Sequence, residues 1–385
     1  MIERHNNFIS DYTYSIGYPE GVVPTIIRGD IIKELQKLVE EDDTIKKDYL
    51  FYSLSKDINS FDIETFLSDY DLRIYRIKFG SNDVGEEILT KNIFDVFKKD
   101  FSSDKIAQYL KDNLDKIYTV PYMLNLEITN KKSVDSIYLP KTTSDSNKID
   151  LSLFKKIVNQ FNDINSNFYL VFGGFGEPFL HSGFLQILDF VNKNKINTII
   201  ETYGIDMDKS FFEQVEKLDK EYLTFVFKID SYFETTYNKI HANGNFNKAI
   251  ENYRALKSSG YKVYKQITRM VENEEEIEKY IKNKDADDLI IRKFSTYCGK
   301  LEDKKVVDLS PLERIPCFHL RRELFVNSYG KVSLCHYNYD NIIGDFNNED
   351  INSIIKKIKG FYQDNANKNL KDGCINCDDY YLFNF

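Results

Sequence analysis

Between about residues 117 and 294 the chain alternates strand-like apolar runs with amphipathic stretches, and this alternation constrains the fold most. Strands are expected at 123–128, 168–171, 198–202, 223–229, 262–268 and 288–292. The stretches between them carry apolar residues at i, i+3, i+4 and i+7, the helical period. Phe154, Ile157, Val158 and Phe161 make one such face behind Asp150, a candidate N-cap. Phe246, Ala249, Ile250 and Tyr253 make another, ended by Gly260. Repeated β-α units require a parallel sheet, because each helix returns the chain to start the next strand in the same direction. Periodicity leaves two α/β forms open, an open doubly wound sheet and a partial barrel.

The flanking segments read differently. Residues 1–115 mix short helical stretches with polar turns. Ile31, Leu35 and Leu38 follow Asp30 at helical spacing, and Leu72, Ile74, Tyr75 and Ile77 suggest a strand. No catalytic constellation stands out there. In residues 306–385, Leu324 to Val326 and Val332 to Leu334 flank a turn containing Gly330, which reads as a hairpin. Ile351, Ile354, Ile355 and Ile358 then mark a helix, with Asn347 and Asn348 as candidate caps. Three domains follow: 1–115, 116–305 and 306–385.

Composition narrows the partners. A hydrophobic content of 42% supports a globular chain. The net charge of −9 argues against a nucleic acid backbone as partner, since such binding needs clustered Lys and Arg. The most apolar stretch, residues 168–191, holds Glu177, Pro178, His181 and Asp189, so no membrane span is expected. The charged start of the chain lacks a signal-peptide core, which makes a cytoplasmic location the default expectation.

All five cysteines, Cys298, Cys317, Cys335, Cys374 and Cys377, fall in the last quarter of the chain. In a reducing compartment such clustering points to metal ligation rather than disulfides. Cys374 and Cys377 form a CxxC pair able to turn two thiolates toward one centre. A hairpin returns the chain to its starting level, bringing Cys317 and Cys335 together. Four thiolates suit either a tetrahedral zinc or a [4Fe–4S] cluster, and spacing does not choose between them. His319 and His336 are adjacent alternatives, read as hairpin surface residues. Cys298 reads as a partly buried free thiol.

The run from Cys317 through Gly330 and Cys335 to Gly344 and the Cys374–Cys377 pair resembles the SPASM domain, which binds auxiliary [4Fe–4S] clusters behind radical-SAM barrels. The longer SPASM pattern has a further cysteine where Phe383 stands, so the resemblance implies a shortened, one-cluster form. It favours iron–sulfur over zinc.

The middle segment resembles the radical-SAM barrel. Gly173-Gly174-Phe175-Gly176-Glu177-Pro178, after the second strand, is similar to the motif that contacts the methionine amino group of SAM. Glycines permit close backbone approach, and a carboxylate suits an ammonium group. Thr202-Tyr203-Gly204 resembles the family's Thr-Asn-Gly turn; Asp230-Ser231, Gln266 to Thr268, and Asn273-Glu274 match later positions. The resemblance implies a partial (β/α)6 barrel, with Gly173, Gly174, Gly176, Glu177 and Thr202 lining a vestigial SAM pocket.

One departure dominates. The family's CxxxCxxC loop follows the first strand, and the aligned positions here are Lys132, Ser136 and Leu139. Lysine, serine and leucine cannot replace three soft thiolates. Without that cluster no local electron source cleaves SAM, so SAM binding is doubtful. The overall pattern resembles the spiro-SPASM group, which joins a nucleotidyltransferase-like region to such a barrel. Tyr18 to Pro24 and Phe61 to Arg73 resemble the later half of that region; its glycine-rich start is missing, as expected for a truncated or vestigial domain. The expectation is a cluster-binding protein serving as electron-transfer or substrate-binding partner to a peptide, a protein or a redox protein. The alternatives are an active SAM-dependent radical enzyme and a zinc-stapled interaction protein.

Overall fold

The computed structural model describes residues 1–40, 49–81, 83–98, 100, 102–141, 145–282, 288–312 and 314–381. They form two compact units, 1–119 and 120–385.

In the first unit, β1 (Tyr12–Ile16) pairs antiparallel with β2 (Ile26–Ile27) and parallel with β3 (Ile63–Leu67). The strand expected over 72–77 is absent: Arg73–Tyr75 is a single 3-10 turn instead. Asp71 explains it. Its carboxylate accepts the Arg73 backbone N–H and pairs with the Arg73 guanidinium at 2.6 Å, offering the backbone a local turn in place of a ladder. Leu72 is still buried, in an apolar core with Ile77, Leu89 and Ile93. Asp30 does not cap the following helix; it lies within the 3-10 turn Gly29–Ile31 that leads into Ile32–Lys37.

The second unit is built on one nine-stranded sheet. Six of its parallel strands are β4 (Met123–Leu126), β6 (Tyr169–Phe172), β7 (Asn197–Thr202), β8 (Leu223–Lys228), β10 (Lys262–Arg269) and β11 (Leu289–Lys293). Two short strands, β5 (Asp135–Ser136) and β9 (His241–Ala242), pair with each other outside this sheet. The spatial order β4-β6-β7-β8-β10-β11 follows chain order without reversal. A doubly wound sheet reverses at a switch point; steady progression is how a barrel grows. The fold is the α/β partial (β/α)6 barrel.

The helix Leu151–Ile164 shows the local logic. Asp150 accepts the backbone N–H groups of Ser152 and Leu153, and Phe154, Ile157, Val158 and Phe161 are all buried. Each such side chain contributes about 1.5–3 kcal/mol when removed from water. The helix Phe246–Ser258 ends as expected before Gly260, which has φ +82°.

The C-terminal segment extends the same sheet. β12 (Glu323–Val326) pairs parallel with β4, β13 (Lys331–Ser333) returns antiparallel, and β14 (Ile342–Asp345) follows. The helix Ile351–Ala366 is capped by Asp350, not Asn347 or Asn348, since only Asp350 presents its carboxylate to the Ser353 N–H. No helix among the described residues is long and apolar enough to cross a membrane.

Candidate metal centre and the barrel mouth

Four chain segments bring the cysteines together. Cys317 precedes the helix Phe318–Arg322, Cys335 follows β13, and Cys374 and Cys377 lie on a tight turn closed by a Cys377 N–H to Cys374 carbonyl bond of 3.2 Å. Cys298 comes from the turn after β11. All five are free thiols. Asn338 reaches both Cys335 Sγ and Cys374 Sγ, so Cys335 and the CxxC turn lie side by side. Cys298, read from sequence as a partly buried free thiol, is 8% exposed and belongs to an apolar cluster against which Cys335 and Cys377 pack.

The surroundings are prepared for negative sulfur. Backbone N–H groups of Asn338 and Asp379 point at Cys335 Sγ and Cys377 Sγ, each at 3.3 Å, and Asn338 Nδ2 lies 3.8 Å from Cys374 Sγ. Such donors stabilise thiolate ligands and tune the centre they hold. Gly373, at φ +81°, lets Asn338 approach: a Cβ there would sit 2.8 Å from the Asn338 amide. Arg314 clamps the CxxC turn, donating to the carbonyls of Cys374 at 2.6 Å and Cys377 at 3.0 Å. Neither Arg314 nor Asn338 carries any sequence signal for this role.

Burial pushes the thiols of Cys335 and Cys374 up and that of Cys317 to about 11. Cys377 goes the other way, to about 7, chiefly through the Cys298 thiol beside it. A dry pocket that resists bare thiolates is suited to a cationic centre, which displaces their protons and neutralises them. Among the described residues no three or more His, Cys, Asp or Glu are drawn around one ion. A tetrahedral zinc would require sulfurs about 3.8 Å apart, from its ~2.3 Å Zn–S bonds. A four-iron cluster spreads its ligands wider, and four thiolates are donors suited to either centre.

His319 and His336 are not surface residues. His319 is buried with Nδ1 3.0 Å from Glu323 and Nε2 3.6 Å from Asp379. Burial opposes its charge, but the two carboxylates raise its pKa well above the ordinary value. His336 stacks on Phe175 at 5.3 Å and meets the Tyr297 hydroxyl at 3.0 Å. Phe383 lies outside the described residues.

At the barrel mouth the glycine-rich turn and Thr202 come together. Glu177 is 1% exposed, and its carboxylate accepts Thr202 Oγ1 and the Tyr203 N–H, both at 2.9 Å. Burial raises its pKa to about 7 despite these bonds. The glycines serve the chain itself. A Cβ on Gly176 would lie 1.8 Å from the Thr129 carbonyl oxygen, and one on Gly174 would lie 2.8 Å from Glu127 Cβ. Gly173 abuts Glu201 Oε2, at 3.3 Å from where its Cβ would be.

The three residues read from the sequence as standing at thiol positions make contacts of their own. Ser136 Oγ contacts the Tyr203 hydroxyl at 2.9 Å and His241 Nδ1 at 2.8 Å. His241 Nε2 in turn lies 3.1 Å from Asp230, which accepts the Tyr138 hydroxyl at 2.9 Å. Leu139 packs into apolar clusters with Tyr138 and Phe294 on one side and Phe175 on the other. Lys132 is half-buried, its ammonium 5.9 Å from the Phe175 ring centre. The pairing of β5 with β9 holds this loop across the mouth.

Beneath it runs a charged layer. Glu201 meets Lys228 at 3.1 Å and Arg292 at 3.3 Å, and Arg292 reaches the Tyr337 hydroxyl at 3.3 Å. Burial alone would raise the Glu201 carboxyl; the two cations hold it at about 2. The void left among these groups is about 40 Å³. Small-molecule pockets measure roughly 300–1,000 Å³, so this one holds a few waters.

Residues 135–283 match the radical SAM superfamily, and residues 317–378 match SPASM, an iron–sulfur cluster-binding domain. A protein of Treponema pallidum (strain Nichols), itself uncharacterized, is 26% identical over 360 residues, covering 88% of this chain and 99% of its own. Among solved structures, Streptococcus suis SuiB bound to its precursor peptide SuiA superposes with a TM-score of 0.55 at 13% identity, covering 75% of this chain and 83% of SuiB. The structure of anSMEcpe with bound AdoMet gives 0.50 at 14% identity, covering 65% and 81%. These structures share the fold, and the sequence matches name its parts: residues 135–283 are similar to a radical SAM domain and residues 317–378 to a SPASM domain.

Proposed function

We propose that this protein binds one [4Fe–4S] cluster through Cys317, Cys335, Cys374 and Cys377, and that its barrel does not cleave SAM. It then acts as an electron-transfer or substrate-binding partner. The observation that carries this reading is the contrast between the two sites. Around the four cysteines, N–H donors face sulfur. At the mouth, no cysteine precedes Cys298, and Ser136 is committed to Tyr203 and His241.

When bound, such a cluster supplies one-electron transfer. The chain's own residues would set its ligand geometry, hold hydrogen bonds to its sulfurs and limit water. Glu177, the residue suited to an ammonium group, already spends both carboxylate oxygens on Thr202 and Tyr203. SuiB has been seen with a precursor peptide and anSMEcpe with the Cp18Cys peptide. A peptide is therefore the partner class to test first.

The test is reductive cleavage. Fully reconstituted protein, reduced with dithionite in the presence of SAM, is expected to release no 5′-deoxyadenosine and to retain no SAM on equilibrium dialysis. Turnover to 5′-deoxyadenosine would establish an active radical enzyme instead.

A further inference from the structure

A cavity of about 240 Å³ lies between the end of β4 and the hairpin of the C-terminal segment. Glu127 and Phe175 line it from the barrel side, and Phe325, Tyr329 and Tyr339 from the hairpin side. Whole small molecules fill roughly 300–1,000 Å³, so this space suits one side chain of a larger ligand.

The walls are aromatic. Phe175 meets Tyr339 at 4.8 Å and Phe325 at 6.3 Å between ring centres, both edge to face. Tyr329 stands at the opening, 39% exposed. Aromatic faces attract cations, and these already do so from outside the cavity. The Lys300 ammonium lies 4.2 Å from the Tyr339 ring centre, and that of Lys132 lies 5.9 Å from the Phe175 ring centre.

The floor is a carboxylate. Glu127 follows β4 and is 4% exposed. Its Oε2 accepts the Phe175 N–H at 2.8 Å, while the Ser328 N–H reaches Oε1 only at 3.4 Å. A buried carboxylate is costly without a positive partner. Glu201 has two such partners, Lys228 and Arg292. Glu127 forms no ion pair among the described residues, and Lys132 acts on it only from a distance. Burial accordingly raises its pKa, as for any acid short of a cation. Lys141 also lines the cavity but is exposed, at its edge.

We infer that this cavity takes the lysine side chain of a peptide, the partner class proposed above, on which this inference rests. The ammonium sits on Glu127, and the methylenes pass between Phe175, Phe325 and Tyr339. A compact ammonium with three donors suits the poorly bonded Oε1 better than a planar guanidinium, which needs a wider fork. The same three rings pack in the apolar cluster that Cys335 and Cys377 join, so the ligand is held one layer of side chains from the proposed metal centre.

The experiment titrates full-length, reconstituted protein by calorimetry with acetyl-Gly-Lys-Gly-amide and with the same peptide acetylated on its lysine nitrogen. The lysine peptide is expected to bind with a Kd on the order of 1 mM, and the acetylated one at least about ten-fold more weakly. Glu127→Gln should weaken the lysine peptide by a similar factor, and Tyr329→Ala by about three-fold. Far-UV circular dichroism establishes that each variant is folded. If Glu127→Gln is not, the two peptides on the wild type and on Tyr329→Ala decide. Equal affinity for both peptides, no binding of either, or unchanged binding by folded Glu127→Gln overturns the inference. Iron content and 5′-deoxyadenosine release are measured on the same preparation. SAM cleavage would refute the functional reading whatever the peptides do. Iron-loaded protein that cleaves no SAM yet ignores the lysine peptide refutes this inference alone.

Discussion

Ser136 and His241 are hydrogen-bonded, Oγ to Nδ1 at 2.8 Å, across the seam where β5 pairs with β9. Ser136 is one of the residues read from the sequence as standing at a thiol position of the radical-SAM loop, and it carries hydrogen bonds of its own. Tyr203, in place of the family's Asn, supplies a second partner for the same hydroxyl, and Asp230 backs the histidine. A buried polar group left unpaired costs about 1–3 kcal/mol, which explains why these positions hang together.

Restoring thiols alone should therefore fail. The triple variant Lys132→Cys/Ser136→Cys/Leu139→Cys is expected to gain no SAM cleavage and to lose stability, by at least about 2 kcal/mol, from breaking the Ser136 bonds and truncating Leu139. Urea unfolding and a 5′-deoxyadenosine assay check both halves. Appearance of SAM cleavage would mean that the mouth is only missing ligands.

Glu177 predicts a pH dependence. Its carboxyl titrates near 7 in the fold against a reference of 4.5, because burial disfavours the charge. The folded state keeps a proton the unfolded chain has released, so stability falls as pH rises between those values, by at most about 1.4 kcal/mol per unit. Glu177→Gln should flatten this part of a plot of urea midpoint against pH. An unchanged slope would show that another group is responsible.

Gly176→Ala should be among the most damaging single changes in the barrel. The added carbon meets a backbone carbonyl oxygen at 1.8 Å, which no side-chain rotation can relieve. The expected cost exceeds about 3 kcal/mol, at or beyond the upper end of ordinary overpacking. Soluble yield and limited proteolysis report it; wild-type resistance would contradict the close approach of the turn to Thr129.

Arg314→Met keeps much of the side chain's bulk but removes both donors to the CxxC carbonyls. Metal release to a chelator should accelerate by about 10–100-fold, the usual effect of losing a group that orients ligands. Release at the wild-type rate would show that the turn holds itself.

Much of this was readable from residue order. The six barrel strands follow from short apolar runs, and the helix Leu151–Ile164 from Asp150 and its four-residue face, because these are local signals. What escaped depends on contacts distant in sequence. The meeting of Ser136 with His241 and the packing of Cys298 and Cys377 into one cluster arise only when the sheet closes. The strand expected over 72–77 failed because Asp71 competes for the backbone, a local effect that apolar counting ignores. The surface reading of His319 failed because nothing in the sequence announces that Glu323 and Asp379 flank it.

The most direct test of the central claim is elemental analysis of anaerobically purified and reconstituted protein, with its visible spectrum. The account predicts about four irons and four sulfides per chain, a broad absorbance near 400 nm that bleaches on reduction, and no stoichiometric zinc. One zinc per chain with no iron would contradict it and make the four-cysteine centre a structural staple.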